Sequence, residues 1–420
     1  MVNAIRTAGD YEAYRKRVFD FLWRKVEPRA SEMERTGAFP QEALFPRFRE
    51  LGLFGAVIPE EYGGIALSCT RYLPLLAEFS KVSGVVRVLL HVHNTSARAV
   101  VAYGTEAQKR ALLPALATGE QSLTFAITEP NSGSGMDVGT HARREGDRWI
   151  VNGAKHYITN ADFATGHLIC CRTGARGDRR GLTALVIPTG APGFTIEPMP
   201  DMMGNNGPPH GILRFKDTPV PVDSMVGNEG DGLEVFLGEL EPSRVFVAAS
   251  SLGTAERALE IALHFAGERI TFGRPIAARP SVQSELADMA RDVYALRLIL
   301  DDVAAKIDRE EPCAVEASIA KLFGLETVMR VTDKAMDVVG GRAYFTDYPY
   351  PLERLYRECR INMLEEGTPS IQRLVIARSL LEQSVPLDIG TLGAPYQPAG
   401  TDPALGDRPP HDLTYAHAEE

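Results

Sequence analysis

The stretch VQSELADMARDVYALRLILDDVAAKI, residues 282–307, decides how the second half of this chain folds. Its large apolar residues recur at alternating steps of four and three over about seven helical turns. A period of 3.5 residues keeps one apolar seam against a neighbouring helix, so the stretch predicts a helix packed in a left-handed bundle. The seam consists of Val282, Leu286, Met289, Val293, Leu296, Leu300, Val303 and Ile307.

Three further segments around this seam carry helical patterns. They are marked by Leu252, Leu259 and Leu263 before the seam, by residues 317–338 after it, and by Ile371, Leu374 and Val375 at the end. Four helices that follow one another along the chain predict an antiparallel four-helix bundle.

The pattern of the first half of the chain changes once, from helical to strand-like. From Tyr11 to about Leu116 the pattern is helical, with a capping-box start at residues 105–108. Residues 149–153 and 182–187 then read as strands. Gly and Pro together make up 16 of the 45 residues from 188 to 232, against 66 of 420 in the whole chain, which excludes a long helix there.

These patterns predict an α+β fold with three domains in sequence. We expect an N-terminal α-helical domain over residues 1–120, a central β-barrel-like domain over 121–232 and a C-terminal four-helix bundle over 233–384. The Gly/Pro-rich and then acidic residues 385–420 are expected to form a disordered tail. Strands and helices do not alternate, which argues against a doubly wound sheet.

Composition excludes several classes of function. The formal net charge of −10 gives no electrostatic support for nucleic-acid binding. The N-terminus has no signal-peptide pattern and no apolar run is long enough to cross a bilayer, so we expect no membrane association. The five cysteines are odd in number and lack metal-ligand spacing, which favours reduced thiols and a cytoplasmic location. His91 and His93 have no evident third ligand, so no metal site is predicted.

One acidic turn contains a candidate catalytic carboxylate. In residues 365–369, Glu365 and Glu366 precede Gly367, a Thr and a Pro, which is the pattern of a loop that delivers a carboxylate to the start of a helix. A base for proton abstraction beside a carbonyl would be placed there. The alternative is an ordinary helix start with acids near the positive end of the dipole. The glycines of residues 133–139 are spaced one residue too far apart for a dinucleotide fingerprint, and a hairpin pattern follows them.

Over residues 10–384 the chain resembles the acyl-CoA dehydrogenase family of flavoproteins. Five motifs in the family's order carry the resemblance: TFAITEPN at 124–131, VNGAKHYITN at 151–160, RITFG at 269–273, GG at 340–341 and EGT at 366–368.

The resemblance implies bound FAD between the β domain and the bundle, in a homodimer or homotetramer. The residues that it places at the cofactor within one chain are Phe125, Ile127, Thr128, Ser134, Tyr157, Thr159, Thr368 and Ser370. The residues that it directs toward the FAD of a neighbouring subunit are Arg269, Phe272, Asp337, Gly340 and Gly341.

The resemblance also implies a reaction, the oxidation of a CH–CH bond in an acyl-CoA to a 2-enoyl-CoA. Glu366 would remove the α-proton while a hydride leaves the β-carbon for flavin N5, and an electron-transfer flavoprotein would then accept the electrons. Helix-dipole proximity lowers the pKa of Glu366, whereas burial against a flavin and an acyl chain raises it, and in a closed site we expect burial to win. The residues implied at the substrate are Ser134, Glu241, Arg244, Glu365 and Gly367. For Arg244 the alternative is an ion pair with Glu241 at the start of a helix.

The chain departs from the family pattern at several positions. Glu365 replaces a residue that is often Tyr or another apolar or aromatic residue. It is expected to face solvent, the alternative being a contact with a polar acyl group. Arg87 is expected at the surface, the alternative being an anchor for a substrate carboxylate. The other departures are Gly135 for Asp, Tyr157 for Trp, Asp337 for Gln, and Ser370 for a longer polar residue.

Alternative functions remain open at this point. The acyl group could be carried by an acyl carrier protein of a natural-product pathway rather than by CoA. A flavin monooxygenase on the same fold is a second alternative, and a non-enzymatic assembly subunit is a third. The retained Glu366 favours dehydrogenation, because relatives that use oxygen commonly lack this glutamate.

Overall fold

The structure is a computed structural model that describes residues 5–133, 137–207, 210–346 and 349–382. It confirms the predicted order of a helical region, a sheet region and a second helical region. The predicted tail, residues 385–420, lies outside the described residues, as do Ser134 and Gly135.

The N-terminal region is built from helices that surround an aromatic core. Thr7 and Thr105 form capping boxes at the helices that begin at Ala8 and Glu106, the second of which the sequence predicts. The helix Gly84–Tyr103 is buried along most of its length, including several polar residues. The elements are α1 (Ala8–Phe21), a π-helical turn (Leu22–Val26), α2 (Glu27–Thr36), α3 (Gln41–Glu50), α4 (Cys69–Val82), α5 (Gly84–Tyr103) and α6 (Glu106–Thr118).

The middle region is one eight-stranded sheet. Its strands are β1 (Leu123–Ala126), β2 (His141–Glu145), β3 (Arg148–Thr159), β4 (Gly166–Arg172), β5 (Leu182–Pro188), β6 (Phe194–Pro198), β7 (His210–Pro221) and β8 (Met225–Val226). The spatial order is β6-β7-β3-β2-β4-β5-β8, and β1 pairs in parallel with β4. The register of β3 against β7 shifts between Lys155 and Ile158. This bulge changes the direction in which the intervening side chains point.

The C-terminal region contains the predicted bundle and one helix that the sequence patterns do not show. Its elements are α7 (Gly232–Glu268), a hairpin of β9 (Ile270–Thr271) and β10 (Arg274–Pro275), α8 (Pro280–Asp308), α9 (Ala314–Val339), α10 (Leu352–Cys359) and α11 (Pro369–Glu382). The middle of the seam on α8 is buried, from Met289 to Val303. The apolar positions that mark the last helix are largely uncovered, since Ile371 and Leu374 are 46% and 44% exposed.

Close helix packing brings the two helical regions together. A Cβ atom on Gly253 of α7 would lie 1.8 Å from the backbone oxygen of Ala77 on α4. Only glycine allows these backbones to approach so closely. The same packing places α5 beside α7 and beside the loop that leads into α11, which positions the acidic turn. Among the described helices, none combines the length and the apolar character needed to cross a membrane.

Candidate active site

The acidic turn before α11 has an unusual backbone. Glu366 has φ 53° and Gly367 has φ 94°, so two consecutive residues adopt the left-handed conformation. The side chain of Gln372 is buried and donates a hydrogen bond from Nε2 to the carbonyl of Gly367 at 3.1 Å. A non-glycine residue in this region is strained by about 1–3 kcal/mol. The turn directs the side chains of Glu365 and Glu366 toward α5.

The carboxylate of Glu366 lies within hydrogen-bond distance of a histidine. Its Oε1 lies 2.7 Å from Nε2 of His91, and the hydroxyl of Ser243 lies 3.0 Å from the same nitrogen. The other oxygen of Glu366, Oε2, is buried and has no hydrogen-bond partner among the described residues. The predicted carboxylate at a helix start is therefore present. One of its oxygens is hydrogen-bonded, and the other has no hydrogen-bond partner among the described residues.

The charges around Glu366 decide its protonation. Burial raises the pKa of this carboxyl, but the charge and the hydrogen bond of His91, the charge of Lys321 and the hydroxyl of Ser243 lower it. The net effect lowers the pKa to about 2. The expectation that burial wins applies to a site closed by flavin and acyl chain and stays a prediction. The contact between His91 and the carboxylate was not predicted from the sequence.

Glu365 and Arg87 form a buried ion pair. The guanidinium of Arg87 donates to the two carboxylate oxygens of Glu365 at 2.8 and 3.2 Å, and to Oδ1 of Asn362 at 2.5 Å. The side chain of Arg87 is 2% exposed and that of Glu365 is 18% exposed. The expectations of a surface arginine and a solvent-facing glutamate are both wrong. Arg87 is buried and Glu365 is half-buried, and each charge is neutralised by the other.

Lys321 is a site residue that the sequence reasoning missed. It is fully buried on α9, and its Nζ donates to the backbone oxygen of Glu365 at 2.6 Å. Burial lowers the pKa of Lys321 to about 8, although the charges of Glu366 and Glu365 oppose this shift. The signal in the sequence was a lysine within the otherwise small and apolar run from Ala317 to Leu325.

Arg244 lies in the body of α7 rather than at its start. The helix begins at Gly232, so the expected helix-start position of this arginine is wrong. Its Nη1 donates to the hydroxyl of Ser318 at 3.4 Å, and its buried Nε has no partner among the described residues. Burial lowers the pKa of Arg244, against the charges of Glu241 and Glu366. Among the described residues, Arg244 is thus an incompletely bonded cation close enough to Glu366 for their charges to interact.

The predicted cofactor residues of the sheet offer a face on which an aromatic ring could stack. Tyr157 lies in the bulge of β3 with φ 58°, and its residue is 63% exposed. The hydroxyl of Thr159 is 2.8 Å from Nε2 of His210. Phe125 packs on Phe236 with ring centroids 4.4 Å apart. An exposed aromatic ring with polar groups on the same strand suits a flat heteroaromatic cofactor, so these residues fit an isoalloxazine ring.

The remaining predicted cofactor residues are spread over the chain. Ile127 is buried, and Thr128 donates from its hydroxyl to the carbonyl of Gly133 at 3.0 Å. Thr368 and Ser370 are exposed at the start of α11.

The residues expected to reach a neighbouring subunit lie at the surface of the bundle. Phe272 is 95% exposed at the tip of the β9–β10 hairpin, where Arg279 lies over its ring. Arg269, Asp337, Gly340 and Gly341 are exposed as well. In the described part of the chain, no hydrogen bond or ring contact joins these residues to Glu366 or Tyr157. Within one chain, therefore, the structure does not bring the two sets together.

Taken with the fold, the site defines a class of protein. It is a three-domain α+β protein in which a sheet between two helical regions presents an exposed aromatic ring, and the turn before α11 presents a carboxylate with one buried oxygen that has no partner among the described residues.

Comparison with known proteins supports this class and narrows it. The N-terminal, middle and C-terminal domains of acyl-CoA dehydrogenase match residues 9–120, 124–218 and 230–381. An acyl-CoA dehydrogenase of Bacillus subtilis is 36% identical over 371 residues, which cover 87% of this chain and 97% of that protein. The chain therefore belongs to the acyl-CoA dehydrogenase family, and membership supports general acyl-CoA dehydrogenation.

Solved structures agree with this assignment. The butyryl-CoA dehydrogenase of Megasphaera elsdenii superposes with a TM-score of 0.85 at 32% identity, over 90% of this chain and 99% of that one. A prolyl acyl carrier protein oxidase superposes with a TM-score of 0.84 at 28% identity, over 89% of this chain and all of the other.

Proposed function

We propose that this protein is an FAD-dependent dehydrogenase that converts an acyl thioester to the 2-enoyl thioester, with Glu366 as the base. The observation that carries the proposal is the asymmetry of the Glu366 carboxylate. One oxygen is bonded to His91, and the other is buried without a partner among the described residues. A buried oxygen with no partner is costly unless a ligand completes it, and an α-proton of the substrate is the group that Oε2 would receive.

The cofactor is part of the proposal. Tyr157 and Thr159 would hold FAD at the sheet, with Phe125, Ile127 and Thr128 behind them and Thr368 and Ser370 at the start of α11. When bound, FAD supplies the acceptor for the hydride that leaves the β-carbon of the substrate.

The low pKa of Glu366 shapes the chemistry that this chain can perform. A carboxyl with a pKa of about 2 is ionised at neutral pH and ready to accept a proton, but it is a weak base. The site must therefore acidify the α-carbon of the substrate. A hydrogen bond from the backbone N–H of Glu366 to the thioester carbonyl would do this, because it stabilises the charge that develops on oxygen.

The remaining substrate contacts follow from the charges in the site. Arg244, whose Nε has no hydrogen-bond partner in the described part of the chain, is proposed to contact the thioester region together with Glu241 and Gly367. Glu365 is already bonded to Arg87, so it would contact a polar acyl group only through an oxygen that it shares with the guanidinium. Because Arg87 also donates to Asn362, we do not assign it as an anchor for a substrate carboxylate. Ser134 remains a prediction.

The carrier of the acyl group defines the second candidate. The likeness to a prolyl acyl carrier protein oxidase keeps a carrier-protein thioester beside acyl-CoA as a substrate. An electron-transfer flavoprotein as acceptor and a cytoplasmic location are also proposed, as is a homodimer or homotetramer. The assembly rests on the exposed Phe272 and on the neighbouring exposed residues of the bundle.

The deciding experiment is anaerobic bleaching of the flavin in the purified holoprotein. The panel contains CoA and acyl-carrier-protein thioesters with straight, branched, aromatic and carboxylated chains. E366Q should retain FAD and lose the rate of substrate-driven bleaching by at least about 10²–10⁴-fold, since general base catalysis contributes that much. E145Q, which changes an exposed carboxylate on β2, is the matched control and should bleach as the wild type does.

Three outcomes are informative. Bleaching by one group of thioesters identifies the acyl class and the carrier together. Bleaching of E366Q at the wild-type rate would show that another group removes the proton. If no thioester bleaches the wild type, but the flavin reduced by NAD(P)H reacts productively with oxygen, the monooxygenase alternative replaces the dehydrogenase.

A further inference from the structure

His91 is buried in the active site, and the proposed reaction gives it no role. Its residue is 1% exposed, and it lies on α5 one turn after Arg87. Its Nε2 is within hydrogen-bond distance of both Glu366 and Ser243, and its ring packs edge-on against Phe246 at 6.0 Å. These contacts hold the imidazole in one orientation relative to the base.

The position of the proton on His91 follows from its neighbours. Oε1 of the ionised Glu366 is an acceptor, so Nε2 at 2.7 Å must carry a hydrogen, because two acceptors would repel each other at that distance. Nδ1 is buried without a partner among the described residues. A buried N–H with no acceptor is costly, so nothing in the site favours moving the proton to Nδ1. His91 is thus a hydrogen-bond donor to Glu366.

We propose that His91 is a positioning residue for the base, which pins Oε1 of Glu366 so that Oε2 alone faces the α-carbon and which holds the carboxylate ionised. The inference rests on the proposed function of Glu366 and adds a second residue to it. Both halves of the role come from one hydrogen bond, since the donor fixes the carboxylate plane and favours its charged form.

The other groups that face Glu366 act from a greater distance or through other atoms. From α9, Lys321 is bonded to the backbone of Glu365 rather than to the carboxylate of Glu366. From α7, Ser243 adds a hydroxyl, and Arg244 is bonded to Ser318.

The remaining neighbours do not replace His91 either. From α11, Gln372 donates to backbone oxygens of the turn. Glu365 is neutralised by Arg87. Among the described residues, therefore, His91 is the ionisable group in direct contact with the carboxylate of Glu366.

The chain supplies a matched control two residues away. His93 is also 1% exposed on α5, but its Nε2 lies 3.1 Å from the backbone oxygens of Phe54 and Leu116. Burial lowers the pKa of His93 to about 4. A substitution at His93 perturbs the buried side of the same helix and leaves the base untouched.

The test compares H91Q, H91L and H93Q in the holoprotein. Gln keeps an N–H near the position of Nε2 but cannot carry a charge, and Leu removes the donor altogether. The first readout is the pH profile of substrate-driven flavin reduction. The second is the infrared carboxyl band that appears on acidification and is missing in E366Q, which needs no substrate.

We expect the acidic limb of the rate profile and the infrared titration to move upward in pH by about one unit in H91L, because the carboxylate loses a hydrogen bond that favours its charged form. H91Q should move less and recover part of the rate, and H93Q should not move either readout. If H91L binds no FAD, the comparison of H91Q with H93Q decides the matter.

Failure of the inference and failure of the proposed function give different results. If flavin reduction depends on Glu366 but neither readout moves in H91L or H91Q, the role of His91 is refuted and the function stands. If no thioester reduces the flavin, yet the carboxyl titration moves upward in H91L, the pairing of His91 with Glu366 stands and the reaction must be reassigned.

Discussion

The guanidinium of Arg87 binds both oxygens of the Glu365 carboxylate, one turn of α5 away from the contact between His91 and Glu366. Residues four apart on a helix lie on the same face, so one face of α5 holds two consecutive carboxylates of the opposing turn. The two pairs explain why the strained turn is kept in place. They also make the position of Glu366 depend on Arg87, a residue that does not contact it.

Breaking the pair of Arg87 and Glu365 should destabilise the fold. E365Q leaves a nearly buried guanidinium without its countercharge, for which we expect a loss of about 2–4 kcal/mol in the free energy of unfolding. Part of the full cost is removed because Glu365 is 18% exposed. Urea unfolding measures the effect. The surface pair of Arg143 and Glu145 supplies the control, since E145Q should cost less than about 1 kcal/mol. Equal stability of E365Q and E145Q would contradict the importance of the pair.

Lys321 should make stability depend on pH in the alkaline range. Its pKa is about 8 in the folded chain and near 10.5 in the unfolded chain, so the unfolded chain binds more protons between these values. Stability therefore rises with pH from about 8 to 10.5, by no more than about 3 kcal/mol from this group. Denaturant unfolding at several pH values should show a flatter dependence for K321M than for the wild type. The same slope in both proteins would show that Lys321 is not desolvated.

Phe272 should matter for assembly rather than for the stability of one chain. It is almost fully exposed at the tip of the β9–β10 hairpin, where it adopts a left-handed conformation with φ 51°. We expect F272S to shift the oligomer toward smaller species in light scattering and to lower the FAD content of the purified protein. M203A, which changes a methionine that is 55% exposed on the middle domain, is the control. A wild-type oligomer with full FAD occupancy in F272S would exclude the proposed contact with a second chain.

Two glycines of α7 should respond to alanine in opposite directions. At Gly253 a Cβ atom would lie 1.8 Å from a backbone oxygen of α4, so G253A should lose at least about 2 kcal/mol. At Gly267 a Cβ atom meets nothing within 4 Å, so G267A should gain up to about 1 kcal/mol from helix propensity. Thermal unfolding of the two variants tests this, and a neutral G253A would mean that α4 and α7 do not pack as described.

Local patterns predicted most of the architecture. The 3.5-residue seam from Val282 to Ile307 predicted α8, and the Gly/Pro content of residues 188–232 excluded a long helix there. Helix α10 was missed because its eight residues are too few to display a convincing period. The sequence also placed Glu366 at the entrance of the last helix, since Gly, Thr and Pro follow it directly.

The electrostatics of the site could not be predicted in the same way. Arg87 and Glu365 are 278 residues apart in the chain, and His91 and Glu366 are 275 apart. No local pattern links such positions, and whether a charge is buried depends on which distant group neutralises it. The sequence by itself determined the order of the domains and the place of Glu366 at the start of the last helix, because periodicity and turn chemistry are local. Only the tertiary structure decided which oxygen of Glu366 has no hydrogen-bond partner among the described residues. It also decided that the pKa of Glu366 is lowered, because both features depend on the packing of α5, α7 and α9 around one turn.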